Sequence, residues 1–228
     1  MNRAGAFFTA ALVLIAVEGS AQTPKQPKVA PGPSEPDWVV VLKTRYGLSM
    51  FDDLLNPVKT TPEATPGLFK KAGPGPVRYT PEIALGLVTT TRGGWYKPGP
   101  SDDKPEKSSL WSYTAKNTTD DLATNKNLPP SLEPGSSATF EPGDARFGLW
   151  IANDGLKDGG VFTQPKVVAA VNARLAKQPY KAMIYPYRDK ATGKAVPHSY
   201  LIGWEYSTND DFQDVVCRVD NVELIEVK

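Results

Sequence analysis

Four carboxylate side chains lie close together near the C-terminal end of the chain, between two apolar stretches. They are Glu205, Asp210, Asp211 and Asp214, and no Lys or Arg occurs within residues 200–216. Such a cluster repels itself unless a cation or backbone N–H groups neutralise it. Because Ca²⁺ prefers oxygen ligands, these residues predict a calcium site. The alternative is that the acids only cap turns by accepting backbone hydrogen bonds.

Catalytic chemistry finds less support in the residue types. His198 is the only histidine and Cys217 the only cysteine, and no G-x-S-x-G motif marks a nucleophile. Glu205 and Asp214 would suit the acid and base of a glycosidase if their separation and pKa values were right. A glycosidase-type hydrolase is therefore one alternative function, and a non-enzymatic role is the main prediction.

Aromatic side chains supply a second alternative, carbohydrate binding. Flat rings that are exposed on a sheet can stack on sugars, although aromatics at strand positions mostly fill a core. Two or more coplanar, exposed rings would favour a carbohydrate-binding module. The candidates are Trp95, Tyr96, Trp111, Tyr113, Trp150, Tyr185, Tyr187, Trp204 and Tyr206.

The acids are positioned by two predicted strands. Residues 200–206 alternate between two faces, and Val215, Cys217 and Val219 repeat the two-residue period after the acidic loop. This pattern predicts a hairpin that brings Glu205 near Asp214. The apolar phase slips around residues 220–221, which predicts a bulge or bend there.

Composition sets the wider fold. The chain has 228 residues with 22 prolines and 19 glycines, which favours short strands joined by turns. Residues 92–96 (RGGWY) are interpreted as a turn, and residues 165–177 as the one convincing helix. We predict an all-β, antiparallel β-sandwich, jelly-roll-like, with one short packed helix. The formal net charge of +1 argues against a nucleic-acid partner.

The N-terminal region has the features of an export signal. Residues 1–21 combine Arg3, an apolar stretch and small residues at the end, so we expect a signal peptide that is cleaved, leaving no membrane span. Residues 22–36 are proline-rich and predict a disordered linker. Residues 37–228 form the predicted β-sandwich domain. With one cysteine an intrachain disulfide is excluded, and we expect the protein to be secreted or extracytoplasmic.

Residues 200–205 (YLIGWE) and 211–216 (DFQDVV) resemble the C-terminal hairpin of a β-rich domain of unknown function from secreted and surface bacterial proteins. The family-like part covers about residues 138–228. By position, Glu205, Asp211 and Asp214 match acids of the family pattern. The resemblance implies a secreted β-sandwich module that binds calcium and has no established activity. The partners that we expect are extracellular polysaccharide or other surface proteins.

Overall fold

The structure is a computed structural model. The predicted signal peptide, the linker, the helix at 165–177, Asp210 and Asp211 lie outside the residues that it describes. Those residues are 67–84, 90–99, 105–114, 131–153, 160–164, 181–205 and 214–226.

These residues contain eleven strands, which agrees with the many short strands expected from the proline and glycine content. They are β1 (Gly67–Lys71), β2 (Val77–Ala84), β3 (Thr91–Lys97), β4 (Glu106–Tyr113), β5 (Thr139–Phe140), β6 (Gly148–Asn153), β7 (Val161–Phe162), β8 (Ala182–Arg188), β9 (Ala195–Trp204), β10 (Val215–Asp220) and β11 (Val222–Glu226).

The strands form two main sheets and a connecting ribbon. The larger sheet has the order β5-β2-β10-β9-β8, the smaller one β4-β3-β6-β7, and β1 pairs with β11. All of these pairings are antiparallel. The predicted hairpin is confirmed as β9 and β10, in which Trp204 faces Val215.

One apolar core joins the two sheets. The larger sheet contributes side chains such as Ile202, Trp204 and Cys217, and the smaller sheet contributes Trp111 and Ile151. Because both inner faces bury alternate side chains against each other, the protein is an all-β sandwich, as the sequence predicted. A smaller apolar cluster, formed by Leu68, Tyr96, Trp150 and Phe162, lies outside this main core.

The bend expected after β10 is present at Asn221. Its φ is +66°, and the chain passes there from the larger sheet into the β1–β11 ribbon. The side-chain Nδ2 of Asn221 donates a hydrogen bond to the carbonyl oxygen of Gly75 at 3.1 Å. Asn tolerates this left-handed conformation better than most residues, which explains its position at the bend.

The predicted turn over residues 92–96 is wrong, because these residues belong to β3. A side chain at Gly93 would collide with the ring of Trp111, and one at Gly94 with the backbone of Ser108. The pairing of β3 with β4 also shifts register between the two glycines. The glycine pair therefore permits close approach and a bulge within a sheet, and does not end the strand.

Candidate functional site

A row of ionisable residues crosses the end of three neighbouring strands. Ala182 of β8 and Val215 of β10 both face Trp204 of β9, which lies between them. The next position toward the same end of the sheet is occupied on each strand by an ionisable residue, and we call these three the charged row. They are Lys181, which precedes Ala182, Glu205, which follows Trp204, and Asp214, which precedes Val215. The backbone N–H of Glu205 donates to the carbonyl oxygen of Lys181 at 3.0 Å, which fixes these two strand ends together.

All three residues of the charged row are buried. Lys181 is 1% exposed, Glu205 0% and Asp214 6%. Removing an ionised group from water is costly unless it gains charged or hydrogen-bonding partners, and none of these three residues lacks a partner. The row combines one cationic and two anionic residue types, so opposite charges are available within the fold itself.

The sequence prediction placed Glu205 and Asp214 close together, and the register of β9 and β10 bears this out. It did not identify Lys181 as part of this group. The signal that could have identified it is its position, because Lys181 directly precedes an apolar strand that pairs with β9.

Two of the four predicted calcium ligands lie in the described residues. Glu205 and Asp214 flank residues 206–213, which contain Asp210 and Asp211 and lie outside the part that the structure describes. Within the described part, no group of three or more His, Cys, Asp or Glu side chains is arranged to hold a metal ion. Calcium binding by the four acids therefore stays a prediction.

The interior next to the charged row suppresses ionisation of two weak acids. Burial raises the pKa of the Cys217 thiol to about 12, although the indole Nε1 of Trp204 donates a hydrogen bond to its sulfur at 3.4 Å. Burial also raises the pKa of Tyr113 well above its ordinary value, and the nearby Cys217 and Asp214 add to that effect. Because a thiolate is the reactive form, Cys217 is a packing residue and a poor nucleophile.

His198 lies at the opposite end of β9 from the charged row. It is exposed and has a φ of +59°. Six residues lie between it and Glu205 in the sequence, so the two are roughly 23 Å apart at the usual strand rise per residue. His198 and the carboxylates of the row therefore do not form a common catalytic group.

The aromatic side chains proposed for sugar stacking are largely committed to the interior. The structure describes eight of these side chains. Six of them are buried, and the other two, Trp95 and Tyr187, are half-buried. Trp95 stacks on Phe140 with ring centroids 5.8 Å apart, and the guanidinium of Arg218 lies over Tyr187 at 4.8 Å. No described residue supplies the exposed, coplanar pair of rings that would favour carbohydrate binding.

A shallow groove of about 260 Å³ lies on the smaller sheet, away from the charged row. It is lined by Arg92, residues 109–112 of β4 and the turn at 134–136. Its volume is just below the usual range for small-molecule pockets, which begins at roughly 300 Å³. The groove contains one cationic side chain and no carboxylate, so its residue types suggest no hydrolytic chemistry.

Comparison with protein-family models, with curated proteins and with solved structures found no match for this chain. The resemblance of the last hairpin to a domain of secreted and surface bacterial proteins therefore stays a prediction. In the part of the chain that the structure describes, no helix is long and apolar enough to cross a membrane.

Proposed function

We propose that this protein is an exported, non-enzymatic β-sandwich module of the cell surface or extracellular space. The observation that carries the non-enzymatic part of the proposal is the burial of Glu205 and Asp214 at 0% and 6% exposure, and export is inferred from the sequence of residues 1–21 alone. A glycosidase must bring its two carboxyl groups into contact with a sugar and a water molecule, so groups enclosed in a sheet end suit a structural role better. The high pKa of Cys217 and the distance of His198 support the same interpretation.

Calcium at the last hairpin is the second part of the proposal. Glu205 and Asp214 offer two carboxylates at the paired ends of β9 and β10, and Asp210 and Asp211 lie between them in the sequence. The ammonium group of Lys181 neutralises only one of these four negative charges, so the hairpin retains a net negative charge that favours a divalent cation. The partners of such a module would be extracellular polysaccharide or other surface proteins.

The calcium proposal is tested by thermal unfolding of the purified chain with Ca²⁺, with Mg²⁺ and with a chelator. An ion that binds only the folded form stabilises it by about 2.7 kcal/mol at a concentration one hundred times its Kd. We expect the midpoint to rise with Ca²⁺ and less with Mg²⁺, which demands a tighter octahedral site.

Two variants and one control locate the ion. Asp211→Asn and Asp214→Asn should each weaken the dependence of the midpoint on Ca²⁺. Asp144→Asn, in an exposed turn, should leave that dependence as it is in the wild type. A wild-type midpoint that does not move with Ca²⁺ or chelator would refute calcium binding and leave the non-enzymatic module without a metal.

A further inference from the structure

The shallow groove of the smaller sheet lies along the side of β4. Arg92 of β3 faces Ser112 of β4, and the turn at residues 134–136 lies beside that strand. The turn is attached to β4 by its backbone, because the N–H groups of Glu133 and Ser137 donate to β4 carbonyl oxygens at 2.8 Å in each case. The walls of the groove are therefore fixed by the fold itself.

The groove offers one positive charge and three hydroxyl groups. Arg92 is exposed, and a guanidinium binds a carboxylate or sulfate group through two parallel hydrogen bonds. The hydroxyls belong to Ser109, Ser112 and Ser136, and each can donate to a ligand and accept from it. The Oγ of Ser136 accepts a hydrogen bond from the backbone N–H of Ser112 at 3.0 Å, so β4 also sets its position.

The remaining lining is apolar and consists of Leu110, Trp111 and Pro134. A sugar ring presents hydroxyl groups together with apolar C–H groups, so this mixed lining suits a sugar better than an inorganic anion. The volume of about 260 Å³ is below the usual range for small-molecule pockets, which begins at roughly 300 Å³. We therefore expect a ligand unit no larger than a single sugar ring, with the rest of its chain outside the groove.

A second cation lies on the same face of the smaller sheet. Arg92 and Tyr96 share one face of β3 because they are four residues apart, and exposed Lys107 of β4 faces Tyr96. The ammonium of Lys107 lies 4.9 Å from the ring centroid of Trp150, in the apolar cluster outside the main core. At the usual strand rise, the two cationic positions are roughly 13 Å apart along β3.

This local arrangement differs from a general attraction for anions. The formal net charge of the chain is only +1, so its overall field does not draw an acidic polymer to the protein. Two cations on one sheet face instead suit acidic groups that recur along an extended chain. The hydroxyls beside Arg92 then add recognition of the sugar that carries the acidic group.

We propose that the groove binds one acidic sugar unit of an extracellular polysaccharide, with its carboxylate on Arg92 and its hydroxyls on the serines. Lys107 contacts an acidic group further along the same polysaccharide. The inference rests on the proposed function, because it names the class of polysaccharide that an exported module binds. It needs neither exposed aromatic rings nor calcium, and the charged row belongs to the other sheet.

The test is calorimetric titration of the purified chain with a short galacturonate oligomer and with a neutral galactose oligomer of the same length. A chelator is present throughout, so that calcium cannot bridge the acidic sugar to the last hairpin. We expect the acidic oligomer alone to bind. In an NMR titration, its amide shifts should centre on residue 92 and on residues 109–112 and 134–136.

Two results would overturn the inference. They are the absence of binding at millimolar acidic oligomer, and shifts confined to residues outside the groove. Neither would touch the proposed export, which is tested separately by locating the chain in cell fractions, or the calcium site, which is tested by thermal unfolding. The groove and the proposed function can therefore fail independently.

Substitutions assign the cations. Arg92→Gln should weaken binding of the acidic oligomer about tenfold or more, because hydrogen bonds to a charged group are lost. Arg78→Gln, at an exposed position of β2 in the larger sheet, is the matched control and should leave the affinity unchanged. Lys107→Gln should weaken binding of the oligomer but not of galacturonate alone, because one sugar unit cannot reach both cations. Equal losses for the two probes would overturn the role of Lys107.

Ser109→Ala distinguishes a sugar site from a site for any small anion. The variant should lose affinity for galacturonate and bind inorganic sulfate as the wild type does, because sulfate has no sugar hydroxyl to recognise. Circular dichroism checks that each variant is folded. Unchanged galacturonate binding by Ser109→Ala, or wild-type affinity for sulfate equal to that for galacturonate, would overturn the assignment of a sugar.

Discussion

Two adjacent rows of side chains cross β8, β9 and β10 and differ by a single residue along each strand. The first row, Ala182, Trp204 and Val215, is apolar and packs into the core between the sheets. The second is the charged row of Lys181, Glu205 and Asp214, which is as well buried as the first. The comparison therefore separates the effect of burial from the effect of charge.

The two rows stabilise the protein by different physical means. Apolar side chains gain free energy in proportion to the area removed from water, without a directional requirement. A buried charge loses its hydration, and only its interactions with charged or hydrogen-bonding partners offset that free-energy cost. Removing one partner therefore leaves the remaining charges buried without compensation. The charged row should therefore be the more sensitive of the two to a single substitution.

The largest effect is expected from Lys181→Met, which keeps an unbranched side chain and removes the positive charge. The variant buries Glu205 and Asp214 without their neighbouring cation, a situation that typically costs about 3–5 kcal/mol. Urea unfolding monitored by tryptophan fluorescence measures the loss. Lys190→Met, in the exposed turn after β8, is the matched control and should change little.

A variant of the charged row without charges shows whether Lys181→Met destabilises the protein through lost charge compensation or through poor packing. Combining Lys181→Met with Glu205→Gln and Asp214→Asn removes all three charges while the side-chain sizes stay similar. Part of the lost free energy of unfolding should return, because no uncompensated carboxylate is then buried. If the triple variant were less stable than Lys181→Met alone, charge compensation would not be the property that distinguishes the two rows.

A smaller loss of stability is expected from Gly93→Ala, which adds a methyl group to the apolar core and leaves the charge of the protein unaltered. The added methyl group would meet the six-membered part of the Trp111 ring, which itself stacks on Tyr79 with centroids 4.5 Å apart. Overpacking of this kind costs about 1–3 kcal/mol. Urea unfolding should show the loss equally at low and high salt, since no ion is involved.

Gly73→Ala is the control for that substitution. A methyl group at Gly73 would make only an ordinary contact, 3.6 Å from Oδ1 of Asn221. It should therefore be tolerated within a few tenths of a kcal/mol. Equal destabilisation by both substitutions would mean that the close approach of Trp111 to β3 does not limit this core.

The contrast between the rows also explains how much of the molecule sequence reasoning could find. The alternation before and after the acidic loop is a local signal, and it correctly predicted the β9–β10 hairpin with Glu205 beside Asp214. The role of Lys181 depends on the pairing of β8 with β9, which no local pattern encodes. The turn wrongly assigned to residues 92–96 has the same origin, because the need for Gly93 is set by Trp111 on another strand.

The smallest effect concerns Cys217, which belongs to the apolar core although it lies on the same strand as Val215. Its pKa is about 12 in the folded chain, against an ordinary value of 9.0. Between pH 9 and 12 the thiol stays protonated in the folded chain but ionises in the unfolded chain. The contribution of the protonated thiol to the free energy of unfolding is therefore full below pH 9. It is then lost as the pH rises from 9 towards 12, at no more than about 1.4 kcal/mol per pH unit.

Urea unfolding at pH 8, 9 and 10 measures this dependence, and Cys217→Ala is the decisive comparison. The variant loses the hydrogen bond from Trp204 and some packing at every pH, but it should show a weaker fall in stability above pH 9. Tyr113, whose pKa is also raised by burial, should still cause the stability of both proteins to fall above pH 10. An identical pH dependence of stability in the wild type and the variant would mean that water reaches Cys217. The core beside the charged row would then contain water, and the two rows would differ in hydration as well as in charge.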